Sequence, residues 1–162
     1  MSSATGLSSP ATSSHNAFLA IFWGGLVCGV LDITQACVAW GIQNHVRPAR
    51  IFQAVAAGLL GPQSFQGGTK TAVLGGFLHF LIAFIWAAIY YVASRKLTVL
   101  ADRAVLCGLL YGEFVWLMMN FVVIPLSQTH RGPFTAAAII TGPIGHLFLV
   151  GLPIALAVRR FS

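Results

Sequence analysis

The sequence predicts an all-α membrane protein, with four transmembrane helices in an up-down-up-down bundle and a short interfacial helix between helices one and two. Three observations lead there. Only 7% of the 162 residues are charged and 57% are hydrophobic, whereas soluble domains carry about 25% charged residues. Four apolar segments are long enough to cross a hydrocarbon core of roughly 30 Å, which takes about 20 residues at the rise of a helix. The connections between the last three of them are short, which makes consecutive helices antiparallel neighbours.

Taken in order, Met1 to Asn16 is rich in Ser and Thr and holds no Lys or Arg. It lacks the charged start of a signal peptide and reads as a disordered tail (residues 1–16). Residues 17–160 form a single domain, with the first span at Ala17 to Gly41. In the one sizeable loop, Pro48 to Leu60 reads as a helix, because Pro is preorganised for a first helical position and Gly61 followed by Pro62 stops it. Ile51, Phe52, Val55 and Leu59 share a face of it. The segment is too short to span, so it should lie in the interface. Gln63 to Lys70 contains Gly67 and Gly68 but lacks the spacing of a phosphate-binding loop.

The remaining spans are placed at Ala72 to Ala93, Ala104 to Leu126 and Phe134 to Val158. A turn carrying His130, Arg131, Gly132 and Pro133 joins the last two. Pro125, Pro143 and Pro153 each remove a backbone donor and should end or bend their helices. Trp23, Trp40, Trp86, Tyr90 and Tyr91 fall near span ends, as an interfacial aromatic belt requires.

The net charge of +6 does not signal nucleic acid, since its Lys and Arg are scattered over every loop and form no stripe. With the N-terminus inside, the inner side holds Arg95, Lys96, Arg103, Arg159 and Arg160, against Arg47, Arg50, Lys70 and Arg131 outside. The positive-inside rule therefore puts both termini in the cytoplasm. Cys28, Cys37 and Cys107 all fall inside spans and form no C-x-x-C pair, so no disulfide framework is expected.

The informative residues are polar ones inside the spans. An acid near a helix centre costs about 2.5 to 3.5 kcal/mol on insertion scales, so Asp32 and Glu113 should face protein or trapped water. Gly25, Gly29, Asp32 and Ala36 share a face of helix one, and Ala72, Gly76, His79, Ala83 and Ala87 share one of helix two. Such small-residue seams let helices approach closely, which would bring Asp32 to His79. Both lie roughly 10 to 14 Å from the same membrane face by helical rise. Glu113 and His146 share a deeper level, with Glu113, Trp116 and Asn120 on one face of helix three and Gly142, His146, Leu149 and Pro153 on one of helix four.

Two chemistries fit these groups. Acid and imidazole can satisfy each other and fix helix register, or they can form a proton or cation path. A metal or haem shared by His79 and His146 is not expected, because their depths differ by roughly 8 Å.

The order of motifs in the C-terminal two thirds also carries a resemblance. "LHFLIAFIWAAIYYVASRK" with His79, "GLLYG" with Tyr111, "MMNFVVIPLS" with Asn120 and Pro125, and "GPIGHLFLVGLPIAL" with Gly145 and His146 together resemble the YagU-like bacterial inner-membrane proteins and related small four-span proteins of unassigned function. The resemblance implies a multi-pass protein of the bacterial cytoplasmic membrane and brings no catalytic or binding residues with it.

The function expected is that of a noncatalytic integral membrane protein acting through lipid, further copies of itself or a partner membrane protein, with no cofactor. The alternatives are a proton-linked transporter or channel component using the intramembrane acids and histidines, and a membrane redox or lipid-modifying enzyme. The polar candidates are Asp32, His79, Glu113, Asn120 and His146, and the packing candidates are Gly25, Gly29, Gly76 and Gly142.

Overall fold

Every element among the described residues of this computed structural model, 10–129 and 136–161, is helical. The first helix, α1, spans Pro10–Asn44. The stretch read as a tail is thus helical from Pro10, whose fixed φ suits a first turn; residues 1–9 lie outside the described part. His45, with φ 54°, turns the chain out of α1 in the left-handed region, where the Cβ of an L-residue costs about 1 to 2 kcal/mol. Its N–H still donates to the Gly41 carbonyl at 3.1 Å.

Next come α2, Pro48–Leu60, and a 3-10 turn over Gly61–Gln66. Gly61, at φ 66°, closes α2 by donating its N–H to the Ala57 carbonyl. α3 covers Gly68–Lys96 and α4 is the short Val99–Asp102. The helix α5, Ala104–Met118, runs on through a π-helical segment, Met119–Val123, into α6, Ile124–Leu126. The last stretch is built the same way, from α7 (Ala136–Gly145), a π segment (His146–Gly151) and α8 (Leu152–Phe161). The predicted turn at His130 to Pro133 and the predicted span start at Phe134 fall outside the described residues.

Four stretches are long and apolar enough to cross a membrane: Asn16–Asn44, Gly68–Lys96, Ala104–Leu126 and Ile139–Phe161. In none is more than 28% of the most apolar window buried by protein, which leaves side chains such as Val73, Phe77, Leu110 and Phe121 turned outward, as lipid-facing positions of a multi-pass membrane protein are. The second and fourth run past their predicted ends to Lys96 and Phe161. Arg95, Lys96, Arg159 and Arg160 occupy those last turns, where cations suit the negative end of the helix dipole.

Two prolines are absorbed in a specific way. A proline clashes with the carbonyl four residues earlier. For Pro125 and Pro153 those residues are Phe121 and Leu149, and both sit inside the π segments. The wider turn carries each carbonyl clear of the ring, so the expected breaks become local widenings. Pro143 sits within α7.

The spans meet in two ways. Where glycines occur, backbones approach. Gly25 lies against Phe84, and Gly29 against Phe80 and Ala83, joining the first span to the second. Gly24 faces Ala157 and Ile154 of the fourth. Gly112 abuts the backbone of His146, and Gly151 abuts the backbones of Gly108 and Gly112. The second and third spans, expected as close neighbours from their short loop, keep their backbones apart, because aromatic rings stand between them. Tyr111 donates its hydroxyl to the Trp86 carbonyl at 2.7 Å, and the Tyr90 and Tyr111 rings are 4.8 Å apart. Tyr90 donates to the Leu100 carbonyl at 2.9 Å and is 1% exposed. Tyr90 is therefore an internal post and not a member of an aromatic belt.

α2 is clasped from both sides. The Gln53 side-chain amide donates to the Gly68 carbonyl at 3.0 Å, and the Gln128 N–H donates to the Gly58 carbonyl at 3.0 Å. Its buried residues are Gln53, Ala56 and Ala57, whereas Leu59 of the predicted apolar face is exposed. Small residues face inward because Gly75 of α3 abuts the Phe52 backbone carbonyl, a separation that admits no large side chain.

Candidate functional site

A cavity of about 450 Å³ lies among the four spans, with Val55 of α2 reaching it as well. The first span supplies one helical face: Cys28, Gly29, Asp32, Gln35, Ala36, Ala39 and Gln43 line it. From the second span come His79, Ala83 and Trp86, from the third Val115, Trp116 and Asn120, and from the fourth Thr141, His146 and Val150. The two π segments contribute Asn120 and His146, so the widened turns that accommodate prolines also carry two of its polar residues.

Four of the five intramembrane polar candidates line this one cavity. Asp32 and His79 do so with Asn120 and His146, although depth alone had divided the candidates into two levels. Glu113 is partly buried but does not line it. Neither histidine is bonded to an acid. His79 Nε2 lies 2.8 Å from the Gly29 carbonyl, and His146 Nδ1 lies 3.0 Å from the Gly142 carbonyl of its own helix. A carbonyl oxygen only accepts, so these nitrogens carry the protons, and in the neutral rings His79 Nδ1 and His146 Nε2 are left as acceptors. The Asp32 carboxylate has no hydrogen bond or ion pair with any described residue.

The other polar neighbours are tied locally. The Asn120 amide donates to the Trp116 carbonyl at 2.7 Å, and the Cys28 thiol to the Gly25 carbonyl at 3.4 Å. The Gln35 amide lies against Gly145 and the Trp116 indole against Gly142. No described Lys or Arg lines the cavity, and Asp32 is the one acid on its wall among the described residues. Among the described residues no three His, Cys, Asp or Glu side chains are grouped to hold a metal ion.

Sequence reasoning left out Gln35, Gln43 and Thr141 at this site. The first two carry a signal, for Asp32, Gln35, Ala39 and Gln43 follow at i, i+3, i+7 and i+11, the repeat of a single helix face. Of the packing glycines, Gly25, Gly29 and Gly142 lie at contacts between spans, whereas a Cβ added at Gly76 would meet only the Phe52 ring of α2, at an ordinary 3.6 Å. Gly75, Gly108, Gly112 and Gly151 were missed. Gly108 and Gly112 stand at the G-x-x-x-G spacing that lets membrane helices touch.

Compared with protein-family models, with curated proteins and with solved structures, the chain matches none.

Proposed function

We propose that this chain is a noncatalytic, multi-pass membrane protein that holds a small ligand in the cavity among its spans. The observation that carries this is the cavity itself. Its volume of about 450 Å³ falls in the range of small-molecule sites, roughly 300 to 1,000 Å³, and like them it sets a few polar groups in an apolar and aromatic wall. Cost argues the same way. A membrane protein keeps a carboxylate at depth only where protein, water or ligand repays about 2.5 to 3.5 kcal/mol, and no described side chain does so for Asp32. Its histidines are bonded to backbone carbonyls and not to a hydroxyl or thiol, which argues against an activated nucleophile.

In this reading the spans run up, down, up and down in a bacterial cytoplasmic membrane, with α2 at the interface beside the cavity. Both termini are cytoplasmic, supported by Arg95, Lys96, Arg103, Arg159 and Arg160 on that side. Lipid surrounds the outward apolar faces, and further copies or a partner protein would meet the chain there. Motif order resembling the YagU-like proteins supports the location alone.

The test is a native mass spectrum of the chain released from lipid nanodiscs, compared with Ala36→Phe, which fills a lining position. One small molecule per chain in the natural protein and none in the variant is the expected result. Identical spectra, bare or carrying only lipid, would remove the reading. A second reading, proton-linked transport, is favoured by Asp32, His79 and His146 lining a single cavity. Its mark would be proton flux in vesicles that disappears in Asp32→Asn while the fold is kept.

A further inference from the structure

The cavity's chemistry narrows its ligand beyond size. Every titratable group on its wall whose bonding is fixed offers electron pairs. Asp32 brings a carboxylate with no described partner, and His79 and His146 each tie one ring N–H to a backbone carbonyl, so that N–H is not available to a ligand. No described Lys or Arg lies on the wall. An anion, whether a fatty acid or a phosphate headgroup, would meet the Asp32 carboxylate with no described Lys or Arg to hold it.

The rest of the wall argues for an organic cation over a metal ion. Three tryptophans, Trp40, Trp86 and Trp116, line the cavity, and the indole face is the best of the aromatic surfaces for a cation. The apolar remainder, with Ile82, Val115 and Val150, suits a hydrocarbon body and would strand a hydrated ion. The described residues also lack a three-ligand metal set.

We propose that the cavity binds an organic ammonium ion, its positive centre at the Asp32 carboxylate and its apolar body among the tryptophans. This rests on the ligand-holding reading above. A free amine and an aminolipid headgroup both present such an ammonium, and the chemistry recognised is the same for either source.

The test is equilibrium dialysis of the full chain in phosphatidylglycerol nanodiscs, with empty discs as baseline. Three probes of similar bulk are used: tetraphenylphosphonium, the neutral triphenylphosphine oxide and the anionic tetraphenylborate. The phosphonium should be held at least about tenfold more tightly than either other probe. Asp32→Asn should lower its affinity by about tenfold or more, Asp32→Glu should restore most of it, and Glu113→Gln, outside the cavity, should leave it unchanged. Equal retention of the three probes, or phosphonium binding indifferent to Asp32→Asn, overturns the cation proposal and leaves the cavity reading intact. No probe held above empty discs, together with a native mass spectrum free of small molecules, overturns both. The probe comparison on the natural chain decides the matter even if Asp32→Asn does not fold. Repeating it in phosphatidylcholine discs separates the sources: an aminolipid occupant weakens phosphonium binding there by competition, and a free amine does not.

Discussion

Between the third and fourth spans backbone meets backbone, whereas the second and third meet chiefly through side chains. The first contact is built from glycines. Gly151 sits against the backbones of Gly108 and Gly112, and Gly112 against that of His146. The second is built from rings, with Tyr111 hydrogen-bonded to the Trp86 carbonyl and stacked edge-on with Tyr90. In lipid no water-driven hydrophobic force pulls helices together, so close packing and hydrogen bonds must do it. One contact relies on the close packing of glycines. The other relies on long side chains, of which Trp86 also lines the cavity whereas Tyr90 and Tyr111 do not.

The contrast can be broken most severely at Gly151. A methyl group there meets backbone on every side, which cannot move aside as a side chain can, so Gly151→Ala should destabilise by about 3 kcal/mol or more. Loss of the monodisperse peak in size-exclusion chromatography, or a large drop in thermal midpoint, would register it; an unchanged midpoint would disprove the contact. A sharper test uses adjacent residues. Gly75→Ala pushes into the Phe52 carbonyl and should cost about 2 kcal/mol. Gly76→Ala meets only the Phe52 ring at ordinary distance, so it should gain up to about 1 kcal/mol from helix propensity. Opposite shifts in midpoint are expected from the two, and shifts of the same sign would contradict the seating of α2.

The ring-built contact should respond less. Tyr111→Phe removes one hydrogen bond and keeps the spacer, for a loss of about 1 kcal/mol with ligand retention unchanged. A loss of retention equal to that from Asp32→Asn would mean that the hydroxyl, and not the ring, shapes the cavity.

Much of this architecture is legible in the residues. Length and hydropathy locate the four spans because lipid imposes both, and the Pro48 start and Gly61 stop fix α2 because each removes a helical option. The packing of α2 was not legible. Ile51, Phe52, Val55 and Leu59 share its apolar face, yet its fully buried residues are Gln53, Ala56 and Ala57, and Phe52 meets Gly75 through its backbone carbonyl, a contact set by a helix distant in sequence. The pairing of acids with histidines failed for a related reason. Depth can be counted along a helix, but rotation is decided by neighbours, and two π segments shift the register of the third and fourth spans where Asn120 and His146 stand. Tyr90 was misplaced because a tyrosine near a span end looks the same whether its hydroxyl meets water or the Leu100 carbonyl. The face of Asp32, Gln35 and Gln43 was readable throughout, since a 3.6-residue repeat needs no partner to define it.

The histidine bonds have a mechanical consequence. Each ring is anchored through the nitrogen that already bears a proton, His79 to Gly29 across two spans and His146 to Gly142 along one. Turning either ring would break its tie to the backbone, so His79 pins one span to the next while His146 is held to its own helix. Any occupant of the cavity would thus meet two imidazoles whose orientation is already set.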